Sequence, residues 1–192
     1  MWMRRLNFHQ APLFCRMRAV VTALTATLML STPAAPALEI NGRTSFVAVP
    51  TRAQLINYRT GAFSGGAEFY LVLELPSGAD AGLGGIDLSQ IRGVQSAFYY
   101  GPVQPTAFLG RPRRQGASIP VNARFSDENR SVAIHFEKPV PPGETVTVAF
   151  AVGINPPADF YTFSVAALPW GPQAIPQTVG VVQMGIDEFG GL

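Results

Sequence analysis

Four segments of this chain keep one apolar face over at least six residues at a period of two, the mark of a half-buried strand. In the first, Phe69, Leu71, Leu73 and Leu75 alternate with Glu68, Tyr70, Val72 and Glu74. In the second, Val132, Ile134 and Phe136 alternate with Ser131, Ala133, His135 and Glu137. Val146, Val148, Phe150 and Val152 form the third, and Tyr161, Phe163, Val165 and Ala167 the fourth. β-Branched and aromatic residues dominate all four, and such side chains fit a pleated, one-sided surface. The pattern places Phe69, Leu71, Leu73, Val132, Ile134, Phe136, Val146, Val148, Phe150, Phe163 and Val165 in a common core. Shorter runs at 45–49, 86–91, 97–100, 106–109 and 179–184 add strand candidates.

Proline and glycine punctuate these runs, at Pro76-Ser77-Gly78, Gly82 to Gly85, Pro139 to Gly143, Asn155-Pro156-Pro157 and Pro169 to Pro172. Proline fixes φ and removes a ladder donor, so such clusters end strands and set turns. In EKPVPPGETVTV the prolines stiffen a corner and Gly143 supplies positive φ, as where a strand changes sheets in an immunoglobulin-like sandwich. Residues 51–58 alone suit a helix, and 110–120, with Arg111-Pro112-Arg113-Arg114, reads as a long exposed loop. The expected fold is all-β: one domain, an antiparallel β-sandwich, immunoglobulin-like or related, of about seven to nine strands.

The front of the chain belongs to a different class. Arg16 and Arg18 precede the apolar run AVVTALTATLML, and Ala35-Pro36-Ala37 offers a signal-peptidase site before Leu38. The run is shorter than the roughly 20 residues a bilayer span needs. Cys15 stands ahead of it, so it is no lipoprotein anchor. Residues 1–37 are thus expected to be a signal peptide, with Met17 a suitable start, and 38–192 the exported domain, periplasmic or extracellular, without a transmembrane segment. This changes the charge. Of the 14 basic residues Arg4, Arg5, Arg16 and Arg18 leave with the leader and all 12 acidic ones stay, so +2 becomes 10 − 12 = −2. A nucleic-acid partner loses its only support. The single cysteine leaves too, so no disulfide is available and burial alone holds the domain.

Candidate chemistry is sparse. Copper and zinc sites need several His, Met or Cys donors, and the mature part has His135 and Met184 alone. Asp127-Glu128-Asn129 and Asp187-Glu188 lack the spacing of a calcium loop. Ala62-Phe63-Ser64-Gly65-Gly66 echoes a serine elbow, yet it feeds a strand rather than a helix, and His135 is the one base available. Glu74 and Glu137 sit on outward strand positions, where a glycosidase pair would need them close together. No catalytic residue, metal or cofactor is assigned. Aromatic residues beside arginines suit a sugar or an acidic polymer, so Arg111, Arg113 and Arg114, with Tyr99 and Tyr100, form the candidate binding set.

The order of Phe136, Pro139-Val140-Pro141-Pro142-Gly143, the strand at 145–148, Asn155-Pro156, Tyr161-Thr162-Phe163, AALPWG at 166–171 and Gly180-Val181 resembles a cyanobacterial family of exported proteins with no assigned function. Upstream, AEFYLVLELPSGADAGLGGIDLSQIRG is similar to the same family's strand, loop and amphipathic segment, so the resemblance covers about residues 46–186. It implies lineage and compartment and transfers no catalytic residue. The expectation is a non-catalytic module of the envelope or periplasm that binds a polymer or protein there. An enzyme acting on envelope polysaccharide through surface carboxylates, and a metal carrier completed by a second chain, are the alternatives.

Overall fold

The structure is a computed structural model and describes residues 38–40, 42–98, 104–126, 128 and 130–188. A small hairpin, β1 (Leu38–Ile40) with β2 (Arg43–Ser45), precedes two five-stranded antiparallel sheets. The first sheet has the order β3 (Arg52–Asn57), β4 (Gly65–Glu74), β10 (Thr145–Ile154), β6 (Thr106–Arg111) and β7 (Arg114–Ile119). The second runs β12 (Gln177–Ile186), β11 (Asp159–Pro169), β5 (Leu83–Arg92), β9 (Ser131–Val140) and β8 (Val121–Ser126). The fold is the expected all-β sandwich, with more strands than the seven to nine read from the pattern.

Period two decides which side chains fill the space between the sheets. Every residue expected in the core is there, from Phe69, Leu71, Leu73 and Ile134 at 0% exposed to Phe136 at 3%. A one-residue slip in any of these strands would put its whole apolar set in water. Phe98 is the hub of the core, its ring centroid 5.1 Å from Phe150, 5.8 Å from Phe163 and 6.1 Å from both Phe69 and Phe125. Such tilted and edge-on pairs add to the area each ring buries. Residues 97–98 form a turn rather than the expected strand, and 99–100 lie outside the described residues.

The turns act as the prolines suggested. Pro141 to Glu144 carries the chain from β9 in one sheet to β10 in the other, and Gly143 has φ +87°. The same turn locks onto the end of β4, where the Gly143 amide donates to Leu75 at 3.0 Å and the Leu75 amide to Glu144 at 2.9 Å. Pro120 separates β7 from β8 and thereby moves one nearly continuous strand between sheets. On the opposite side β3 packs against β12, and Gly61 bridges Asp187 beyond their ends.

Three expectations need correction. Residues 52–57 form β3 and not a helix, because tertiary pairing with β4 outweighs weak local propensity. Residues 110–120 are no long loop: a two-residue turn, Pro112-Arg113, joins β6 to β7. In the 45–49 run only Ser45 is in a strand.

Candidate functional site

The β6–β7 hairpin bends back over the outer face of the first sheet. Gly110, at φ +92° and beside a register shift, makes the bend possible. Its carbonyl accepts a hydrogen bond from Thr147 Oγ1 on β10 at 2.6 Å. From the hairpin Arg111 donates to the Glu74 carboxylate on β4, two strands away, and Arg52 of β3 reaches the same carboxylate at 3.5 Å. Arg113, held at φ +68°, places its guanidinium 4.2 Å from the centre of the Tyr58 ring. Beneath this strap Val72, Thr147 and Phe108 are buried although they stand on the outward phase of their strands. The alternation was right, but the face it assigned to water is roofed by the hairpin.

Tyrosine continues the surface. The Tyr58 and Tyr70 rings lie 5.7 Å apart, and the Tyr70 hydroxyl donates to Glu68. That bond, with some desolvation and the Glu68 charge, pushes the Tyr70 phenol up to about 12. Arg59 sits at the margin and donates to the Gly65 carbonyl at 2.9 Å. A hollow of about 420 Å³ lies between Arg52, Gln54, Val72, Glu74 and Arg111. Of the expected binding set, then, Arg111 and Arg113 converge on one sheet face, Arg114 stands exposed opposite Arg111 across the hairpin, and Tyr99 and Tyr100 lie outside the described residues. Arg52, Tyr58, Arg59 and Tyr70 join the surface unforeseen. Once 52–57 is recognised as a strand antiparallel to the next one, Arg52 falls opposite Glu74 and Ile56 opposite Tyr70, and that pairing was the missing signal.

The other sheet presents different chemistry. His135 is exposed on β9, with Asp87 half-buried on β5 one step away. Burial pushes the Asp87 carboxyl up, and the nearby His135 partly offsets this. A cavity of about 600 Å³ between His135, Leu168, Pro169, Trp170 and Pro172 lies at the edge of this face. Glu74 and Glu137 point outward from opposite sheets, so they cannot flank one glycosidic bond, and the carboxylate-pair reading falls. Ser64 precedes β4 with no helix behind it, while His135 belongs to the other sheet. Among the described residues no three His, Cys, Asp or Glu side chains gather as a metal ion requires. Nor is any helix among them long and apolar enough to cross a membrane.

Solved structures similar to this chain share little sequence with it. The bacterial hydrophobin BslA is 7% identical with a TM-score of 0.46, covering 75% of this chain and 98% of its own. Self-complemented MyfA, the major subunit of Myf fimbriae from Yersinia enterocolitica, is 10% identical with a TM-score of 0.38 over 71% and 98%. AvmM, which catalyses macrocyclization in alchivemycin A biosynthesis, is 11% identical with a TM-score of 0.36 over 78% and 95%. No match is found among curated proteins. A family model does match, from residue 43 to residue 186, which spans both sheets from β2 to the end of β12. The chain belongs to the family described as protein of unknown function, DUF2808.

Proposed function

We propose that this domain is an exported envelope module that holds an acidic polymer against the arginine-bearing face of its first sheet and catalyses no reaction. One observation carries the reading: Arg52, Arg111 and Arg113 gather on a single face with Tyr58 and Tyr70, against the carboxylates of Glu68 and Glu74, and Arg114 stands exposed on the same hairpin. Glu74 orients two guanidinium groups without using all their donors, since each fork carries five N–H groups. Tyr58 supports a third from below. Forked donors held in place suit carboxylate, sulfate or phosphate groups repeated along a chain, and the tyrosine rings suit the apolar faces of sugars. The leader at 1–37 and the resemblance to exported cyanobacterial proteins support the envelope as the setting.

The test is retention on isolated envelope material at stepped ionic strength. Parent protein should be held at low salt and released as screening shortens to about 8 Å near physiological salt. Changing Arg111, Arg113 and Arg114 together to Ala should abolish retention. The Arg111–Glu74 pair is exposed and worth at most about 1 kcal/mol, so the fold survives the change. A parent that is not retained at low salt, or a triple variant that binds equally well, refutes the proposal.

A further inference from the structure

Exposed apolar side chains collect at one end of the sandwich. β4 and β11 begin there, and β3, β5, β10 and β12 end there, because Ile154 pairs with Gly65, Asp159 with Ile186 and Thr162 with Arg92. Of the ten large apolar side chains exposed among the described residues, Phe63, Ile91, Val94, Ile154 and Phe160 belong to this end. Four of these are more than 60% exposed, and Ile154 is 45% exposed. A soluble domain scatters such residues singly, and a cluster of them marks a contact surface.

Phe63 is more than exposed. It sits at φ +57°, a backbone conformation in which a bulky side chain is a genuine outlier. The turn that imposes it is firmly built. Its amides at Ala62, Phe63 and Ser64 donate to Asp187, Asn155 and Gly61. Beneath, the fully buried Asn155 donates from Nδ2 to the carbonyls of Arg59 and Gly61. Glycine would satisfy this turn without strain, yet the chain holds a phenyl ring in water there. Strain held in place by its surroundings points to a task for the group presented.

The rim decides which partner fits. Arg59, Arg92 and Arg130 border the end together with Glu128, Asp159, Asp187 and Glu188, and Arg130 is anchored on the Gly93 carbonyl at 3.1 Å. Both signs are present in similar number. An anionic lipid surface would select a basic rim. A mixed rim around an apolar centre is what a two-fold contact demands, because each patch must complement a rotated copy of itself. We infer that this end is an isologous interface joining two copies of the chain, with Phe63 and Phe160 as its central anchors. The inference is independent of the polymer-binding reading, which uses the outer face of the first sheet.

Sedimentation equilibrium of the purified protein tests it, with Phe63→Gly and Phe160→Ser as variants. The parent should form dimers. Phe63→Gly should raise the dissociation constant at least about tenfold, or about 1.4 kcal/mol, while its melting temperature as a monomer stays level or rises. Phe160→Ser removes a side chain that is 62% exposed and should weaken the dimer similarly. A parent that stays monomeric at about 100 µM, ample for a micromolar contact, overturns the inference. So do variants that dimerise as tightly as the parent. A monomeric parent that co-sediments with phosphatidylglycerol vesicles, and loses this with Phe63→Gly, assigns the patch to lipid instead.

Discussion

Phe150 and Asp87 show how far a single position departs from what its strand phase dictates. Phe150 follows the pattern, being 2% exposed and 5.1 Å from the Phe98 ring. Phe150→Ala should cost about 3–5 kcal/mol in denaturant unfolding, the transfer loss plus an unfilled cavity, and a loss below about 1 kcal/mol would disprove its place in the aromatic hub. Asp87 breaks the pattern: it stands on an outward position of β5, yet neighbours on β9 and β11 desolvate it and raise its pKa from 3.8. The folded protein therefore keeps the Asp87 proton to higher pH than the unfolded chain does. Stability from this group is complete in acid below the unfolded value and is lost as pH rises through the folded one. Asp87→Asn, always neutral, should raise the melting temperature at pH 7 and leave it unchanged near pH 3. A lower melting temperature at pH 7 would mean that Asp87 is held by contacts that favour its charge. Nothing in the sequence pattern distinguishes Asp87 from a solvated carboxylate, because its desolvation comes from strands distant in the chain.

At the scale of elements, legibility followed locality. Strands β4, β9, β10 and β11 announce themselves because alternation is a property of consecutive residues. The β9–β10 corner was equally plain, since proline and glycine fix φ wherever they stand. β3 hid because RAQLIN has no strict alternation and becomes a strand only through pairing with β4. The β6–β7 hairpin hid for another reason: its glycine and arginine content resembles a loop, and its partners, Glu74 and Tyr58, lie 37 and 55 residues earlier (111 − 74 and 113 − 58). Finding three arginines was therefore easy, and finding the sheet face on which Arg111 and Arg113 converge was not. The bend of that hairpin rests on Gly110, where a Cβ would come 2.5 Å from the Arg114 carbonyl oxygen at φ +92°. Gly110→Ala should destabilise the protein by more than about 1 kcal/mol, because alanine cannot take this conformation without strain. It should also speed exchange of the hairpin amides, and unchanged exchange would show that the bend does not depend on this residue.

For the molecule as a whole, both sides of the sandwich are closed by the chain itself. Pro120 carries one strand across, and on the other side the Ala62 amide donates to the Asp187 carbonyl at 2.8 Å, while the Asp187 amide donates to Thr60 at 2.7 Å. Neither sheet can leave the other without breaking these ties, so unfolding should be one cooperative step. The β1–β2 hairpin is tied in as well. Thr44 Oγ1 donates to the Pro172 carbonyl and the Phe46 amide to Gln177 Oε1, each at 2.8 Å. Among the described residues the strands begin with β1 at Leu38, so a signal-peptidase cut after Ala37 would leave all of them whole. The cut would also remove the sole cysteine and reverse the net charge from +2 to 10 − 12 = −2. N-terminal sequencing of exported protein should begin at Leu38, and the product should migrate as an acidic species whose melting temperature is indifferent to reductant. A start at Ala35 or Pro36 would keep the argument, since both leave β1 intact. Exported, soluble protein that retains residues 1–37 would defeat it, as would a start beyond Ile40, which would remove the strand that pairs with β2.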